Sequence, residues 1–103
     1  MTSTTINQLL EYHKEIEYLM REQVNLKECE CILSNVKTTI RMINSDLVTP
    51  DNAIEYNSLH ILLEVTQTAL DSCHRYISMN QFPSILSLEM LHRSLSNLIQ
   101  KLN

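Results

Sequence analysis

The sequence predicts an all-α fold: a three-helix antiparallel bundle with one long N-terminal helix, coiled-coil-like packing and a dimeric assembly. Three observations carry this expectation. The 103 residues contain no glycine and only two prolines, Pro50 and Pro83, where an average chain of this length holds roughly seven glycines. Apolar residues recur in alternating steps of three and four, the period of packed helices. Between residue 5 and the first proline nothing breaks a helix, so a rod of ~60 Å can form there.

The first helix is expected over residues 5–46. Thr5-Ile6-Asn7-Gln8 has the pattern of a capping box, with Thr5 as N-cap and Gln8 reaching back. Its second half carries a heptad seam: Leu26, Cys29, Leu33, Val36, Ile40, Ile43 and Leu47. Its first half has another phase: Ile6, Leu9, His13, Ile16 and Met20, widened by Leu10, Leu19 and Val24. The two phases fail to join in the polar stretch 22–27. A bend or a change of packing partner is expected there, with a full break as the less favoured alternative.

A second helix is expected over 50–79. Thr49 can cap it, Pro50 suits its first position, and Asp51 favours the positive end of the dipole. Its apolar set is wide, running from Ile54 through Leu59, Ile61, Leu62, Leu63 and Val65 to Leu70, Cys73 and Ile77. Both flanks of this helix are therefore expected to be covered. Asn80 can stand in for glycine past the helix end, and Pro83 marks the turn. A third helix over 84–102 follows, with the seam Leu88, Leu91, Leu95, Leu98 and Leu102. Short connections favour antiparallel neighbours within a single domain of residues 1–103.

Unequal helix lengths lead to the functional expectation. A rod twice as long as the third helix leaves part of its apolar face uncovered in a monomer. Large apolar patches seldom stay exposed on soluble monomers. The seam from Leu26 to Leu47 is therefore expected to meet a partner helix, from a second copy or from another protein. The chain then reads as a small cytoplasmic interaction module, acting as a regulator, an inhibitor or a chaperone. The alternative is a nucleic-acid-binding regulator built as a helical-hairpin dimer. Lys14, Arg21, Lys27, Lys37 and Arg41 would serve it, but Glu11, Glu15, Glu17, Glu22, Glu28 and Glu30 dilute their field. The net charge of −4 also opposes the basic footprint of nucleic-acid binders.

Several chemistries are disfavoured. Without glycine there is no phosphate-binding loop, dinucleotide fingerprint or nucleophile elbow. No apolar run approaches a membrane span, and the N-terminus lacks the pattern of a secretory signal. Three cysteines, an odd count in a chain that needs no disulfide scaffold, fit a reducing cytoplasm. Cys29 and Cys31 diverge by ~200° on a helix, so they do not grip one metal. Cys29 is expected in the core, with Cys31 peripheral. Cys73-His74 diverge too, and no paired zinc spacing occurs. A single Glu-x-x-His spacing occurs, Glu89 and His92, and a di-metal bundle needs a second on a facing helix, which the sequence lacks. His13, His60, His74 and His92 are scattered and are expected as polar or interfacial groups. His13, on the seam, is the one expected to make association sensitive to pH near its ordinary titration range. No enzyme constellation, cofactor, metal or small-molecule substrate is expected.

Overall fold

The computed structural model describes residues 3–22, 24–47 and 53–103, with side chains at 3, 46–47 and 53–57 excepted. Among the described residues there are four helices and no strand: α1 (Ser3–Arg21), α2 (Leu26–Leu47), α3 (Ala53–Ser78) and α4 (Ile85–Leu102). The fold is all-helical as expected, but the expected single rod is two helices.

The break has a local cause. Asn25 Oδ1 accepts a 2.7 Å bond from the Glu28 backbone N–H, the N-cap bond to the third helical residue. The Cys29 N–H then bonds Asn25 O at 3.2 Å, opening the ladder of α2. Asn25-Leu26-Lys27-Glu28 thus starts a new helix where the rod was expected to continue. Val24 and Cys29 occupy the two positions of a hydrophobic staple, and both pack in the core. On the other side, Glu22 N to Tyr18 O at 2.9 Å is the closing bond of α1. The phase mismatch between the two seams is therefore a change of helix. At the N-terminus α1 begins at Ser3, so Thr5 lies inside the first turn and is not its cap. The proposed start of the next helix at Thr49, Pro50 and Asp51 lies outside the described residues.

The turn from α3 to α4 follows the sequence closely. Asn80 has φ 59°, the left-handed region that glycine usually fills and that asparagine tolerates. Gln81 N bonds Tyr76 O at 2.9 Å and Asn80 N bonds Ile77 O at 2.9 Å, which together form a Schellman ending. Pro83 is buried beyond it. Ser84 caps α4, its hydroxyl accepting from Ser87 N at 3.1 Å.

The helices run up, down, up and down, each beside its neighbours in sequence, with α4 closing back on α1. Paired contacts fix the directions. His13 and Glu17 of α1 meet Ser96 and His92 of α4 in reversed order. Tyr12 of α1 meets Thr39 of α2, and Ser72 of α3 meets Ser87 of α4. The pairing of α1 with α2 is the thinnest of the four. The body measures 44 × 24 × 19 Å, shorter than the ~60 Å rod that residues 5–46 would make as one helix.

All four helices feed one core. Leu9, Ile16 and Leu19 come from α1; Cys29, Leu33, Val36, Ile40 and Ile43 from α2; Leu63, Ala69, Leu70 and Cys73 from α3; Leu88, Leu91, Leu95, Leu98 and Ile99 from α4. The seam expected to await a partner is thus inside the chain's own bundle. Five of its residues are buried, Leu26 is partly buried, and the Leu47 side chain lies outside the described residues. The excess apolar face vanished because the break between α1 and α2 lets α1 fold back beside α2. Another correction concerns α3, where Ile61 and Val65 are exposed. α2 and α4 cover α3 on its two flanks, while the edge that carries Ile61 and Val65 stays open to solvent.

Candidate functional site

The side chains that chemistry could use gather where α1 crosses α4. His13 and Glu17 are i,i+4 neighbours on α1 and so share a face. His92 reaches them from α4. The two imidazoles stack with centroids 3.9 Å apart and planes at 29°. His92 Nε2 lies 3.0 Å from Glu17 Oε1, and since a carboxylate only accepts, His92 Nε2–H is the donor. His13 Nδ1 stands 3.7 Å from the same Oε1. On its far side His13 Nε2 meets Ser96 Oγ at 2.7 Å. Ser96 Oγ in turn donates to His92 O at 3.1 Å. One hydroxyl hydrogen serves one acceptor, so whenever Ser96 donates to His92 O, His13 Nε2 is the donor to Ser96. In that tautomer the Nδ1 lone pair of His13 faces Glu17; in the other, Ser96 donates to Nε2 and Nδ1–H faces the carboxylate.

Burial, and then the neighbouring His92, lower His13 below the ordinary histidine range, with Glu17 opposing. Glu17 is held below the usual carboxylate range first by the bond from His92, with His13, His92 and Arg21 adding to it against desolvation. At neutral pH the cluster holds a neutral His13 beside an ionised Glu17.

The sequence left these residues apart. In the sequence His13 stands on the seam, whereas Glu17 and His92 show no shared role. The His-x-x-x-Glu spacing of His13 and Glu17 was a readable signal, because it places both on one helix face. The third member required knowing that α4 packs antiparallel on α1. The histidines are thus not all scattered.

The other candidates are placed as follows. Cys29 and Cys73 are buried free thiols and Cys31 is exposed. Burial pushes the Cys29 thiol up to about 11. Burial and then the nearby Cys29 push Cys73 up to about 12. Thiols so protonated are poor nucleophiles and poor metal ligands. His74 points into the α2–α3 contact, where its Nε2 is buried without a hydrogen-bond partner. A hollow of about 160 Å³ lies between Arg41 and Asn44 of α2 and His60, Glu64 and Gln67 of α3. It is smaller than the roughly 300 Å³ at which ligand pockets begin. Among the described residues no helix is long and apolar enough to cross a membrane.

Compared with family models, curated proteins and solved structures, the chain matches none.

Proposed function

We propose that this chain is a helical protein–protein interaction module whose partner is a second copy of itself, met through the outward ridge of α4. The carrying observation is the exposure of large apolar side chains there. Leu86 is 63% exposed, Ile85 56% and Met90 48%. Leu86 and Met90 are i,i+4 and stand in line along one face. Met79 and Phe82, also exposed, adjoin the ridge at the turn from α3. A monomer that leaves such a group in water forgoes its burial, worth about 25 cal/mol per Å². Methionine in particular adapts to a partner's surface.

Charge favours a copy of the same chain. Glu89 and Arg93 flank Met90 on the outward side of α4. In an antiparallel pairing of two α4 helices with the two-fold axis opposite residue 91, Glu89 of each copy faces Arg93 of the other. A closed two-fold contact requires this kind of self-complementarity. The seam from Leu26 to Ile43 takes no direct part, since it already forms the interior. Acting as a regulator or a chaperone would extend the same contact to a helical client. A cytoplasmic setting belongs with this proposal, because all three cysteines are free and reducing conditions keep them so.

Sedimentation velocity over a range from about 1 to several hundred micromolar, bracketing weak-dimer constants, tests the proposal. A dimer that Leu86→Glu with Met90→Glu converts to a folded monomer supports it. A monomer throughout, or a dimer indifferent to both substitutions, refutes it.

A further inference from the structure

We propose that His13, Glu17 and His92 form a binding site for a divalent transition-metal cation of the zinc class, clamping α1 to α4. The site is independent of the α4 ridge and of any dimer.

The donor set fits first. Two imidazoles and a carboxylate are a set used by zinc and related ions with open coordination positions. The three candidate ligand atoms all lie within 4.8 Å of one another. Bonds of 2.0–2.1 Å in a tetrahedral site put donors about 3.3 Å apart. The observed separations of 3.0 Å for His92–Glu17 and 3.7 Å for His13–Glu17 bracket that spacing. The side chains are half-buried, so the helices position them while solvent still reaches the site.

The hydrogen-bond pattern carries the inference further. A metal-ligating histidine usually gives its other ring N–H to a fixed acceptor, which sets tautomer and ring orientation. His13 has this arrangement already. Its Nε2 is held 2.7 Å from Ser96 Oγ, which can accept from it while donating to His92 O. Its Nδ1 stands 3.7 Å from Glu17 Oε1, the same oxygen that accepts from His92 Nε2, so both imidazoles converge on one carboxylate oxygen. On binding, the ion takes the place of the proton that His92 Nε2 donates to Glu17; that proton passes through solvent to Nδ1 of the same ring, so His92 ligates as a neutral imidazole. Imidazole lone pairs lie in the ring plane, and the two rings are stacked, so one ring must also turn about χ2. That torsion is broad and soft for histidine. Water would complete the coordination sphere.

The chain supplies its own control. His60 and Glu64 of α3 are also an i,i+4 pair, with Nε2 to Oε1 at 3.0 Å. Among the described residues they do not belong to a three-ligand group. If an isolated His–Glu pair sufficed, both places would bind.

The test is a calorimetric titration of the full chain with zinc chloride in a non-chelating buffer at neutral pH, with ring-proton NMR in parallel. The expected result is one saturable equivalent, with shifts confined to the His13 and His92 rings. His92→Asn, His13→Asn and Glu17→Gln should each weaken binding at least about tenfold, the lower end seen even for outer-shell partners. His60→Asn and Cys31→Ser should leave it unchanged. Circular dichroism verifies that each variant folds, and the wild-type NMR map stands without any variant. No saturation at millimolar zinc overturns the proposal. So do shifts mapping to His60, His74 or Cys31 instead, or binding that survives Glu17→Gln and His92→Asn in full.

Discussion

Thr39 Oγ1 donates to Tyr12 Oη at 3.1 Å, joining side chains 27 positions apart in the chain. An uninterrupted helix would hold those positions about 40 Å apart. The bond exists because α1 ends at Arg21 and α2 starts afresh at Leu26. That reversal converts an exposed seam into an interior, and the predictions below depend on it.

Leu33 is fully buried at the middle of the seam. Leu33→Ala should destabilise the fold by about 2–5 kcal/mol, the range for buried leucine truncations. Because its neighbours belong to the same chain, the loss should not depend on protein concentration. Urea unfolding of the variant and wild type at two concentrations a hundredfold apart checks this. A difference that shrinks on dilution would place Leu33 between molecules instead.

The three thiols should separate cleanly by reactivity. With Cys29 and Cys73 buried and pushed up to about 11 and about 12, a native chain treated with a thiol reagent at pH 7.5 should modify Cys31 alone. Denaturant should expose the other two. Mass spectrometry of the peptides reads the sites, and rapid labelling of Cys29 in the native chain would contradict the packing of α2.

Acid should weaken the α2–α3 contact through His74. Burial lowers this histidine below its ordinary value of 6.5, with Lys37 adding, while Asp71, Glu30 and the Leu33 backbone oppose. Between its lowered folded value and 6.5 the unfolded chain binds more protons than the folded one. Stability therefore rises with pH through that window and falls on acidification below 6.5. His13 contributes in the same direction, so the diagnostic quantity is a difference. Thermal melts from pH 7.5 to 5.5 should show a smaller loss for His74→Leu than for wild type. Equal losses would remove His74 from the account.

Much of this architecture is legible in the letters. The absence of glycine and the period of the α2 and α4 seams identify helices, and Leu33, Ile40, Leu91 and Leu95 fall in the core as their spacing requires. Asn80 and Ser84 behave as turn and cap chemistry dictates. The break at Asn25 was legible too, as an asparagine followed three residues later by Glu28, but a cap competes with propensity. Nothing in residues 22–27 forbids a helix, and only the packing of α1 on α4 and α2 makes the reversal favourable. The exposure of Ile61 and Val65 was hidden for a related reason. Apolar spacing shows which residues share a face, and the number of neighbouring helices decides whether that face is covered. The His13–Glu17–His92 cluster depended on the same missing information. Its α1 half is a spacing, and its α4 half is a consequence of topology.

The central claim, that residues 3–47 form an antiparallel pair of helices, is tested most directly by one distance. Spin labels at Glu11→Cys and Thr38→Cys, both exposed positions, in a Cys31→Ser background and diluted with unlabelled chain, report the α1–α2 separation by pulsed dipolar spectroscopy. Neighbouring helices 8–10 Å apart, plus the label linkers, predict a distribution below about 25 Å. A narrow distribution near 40 Å, the span of 27 helical residues at about 1.5 Å each, would mean a continuous rod and would contradict the bundle described above.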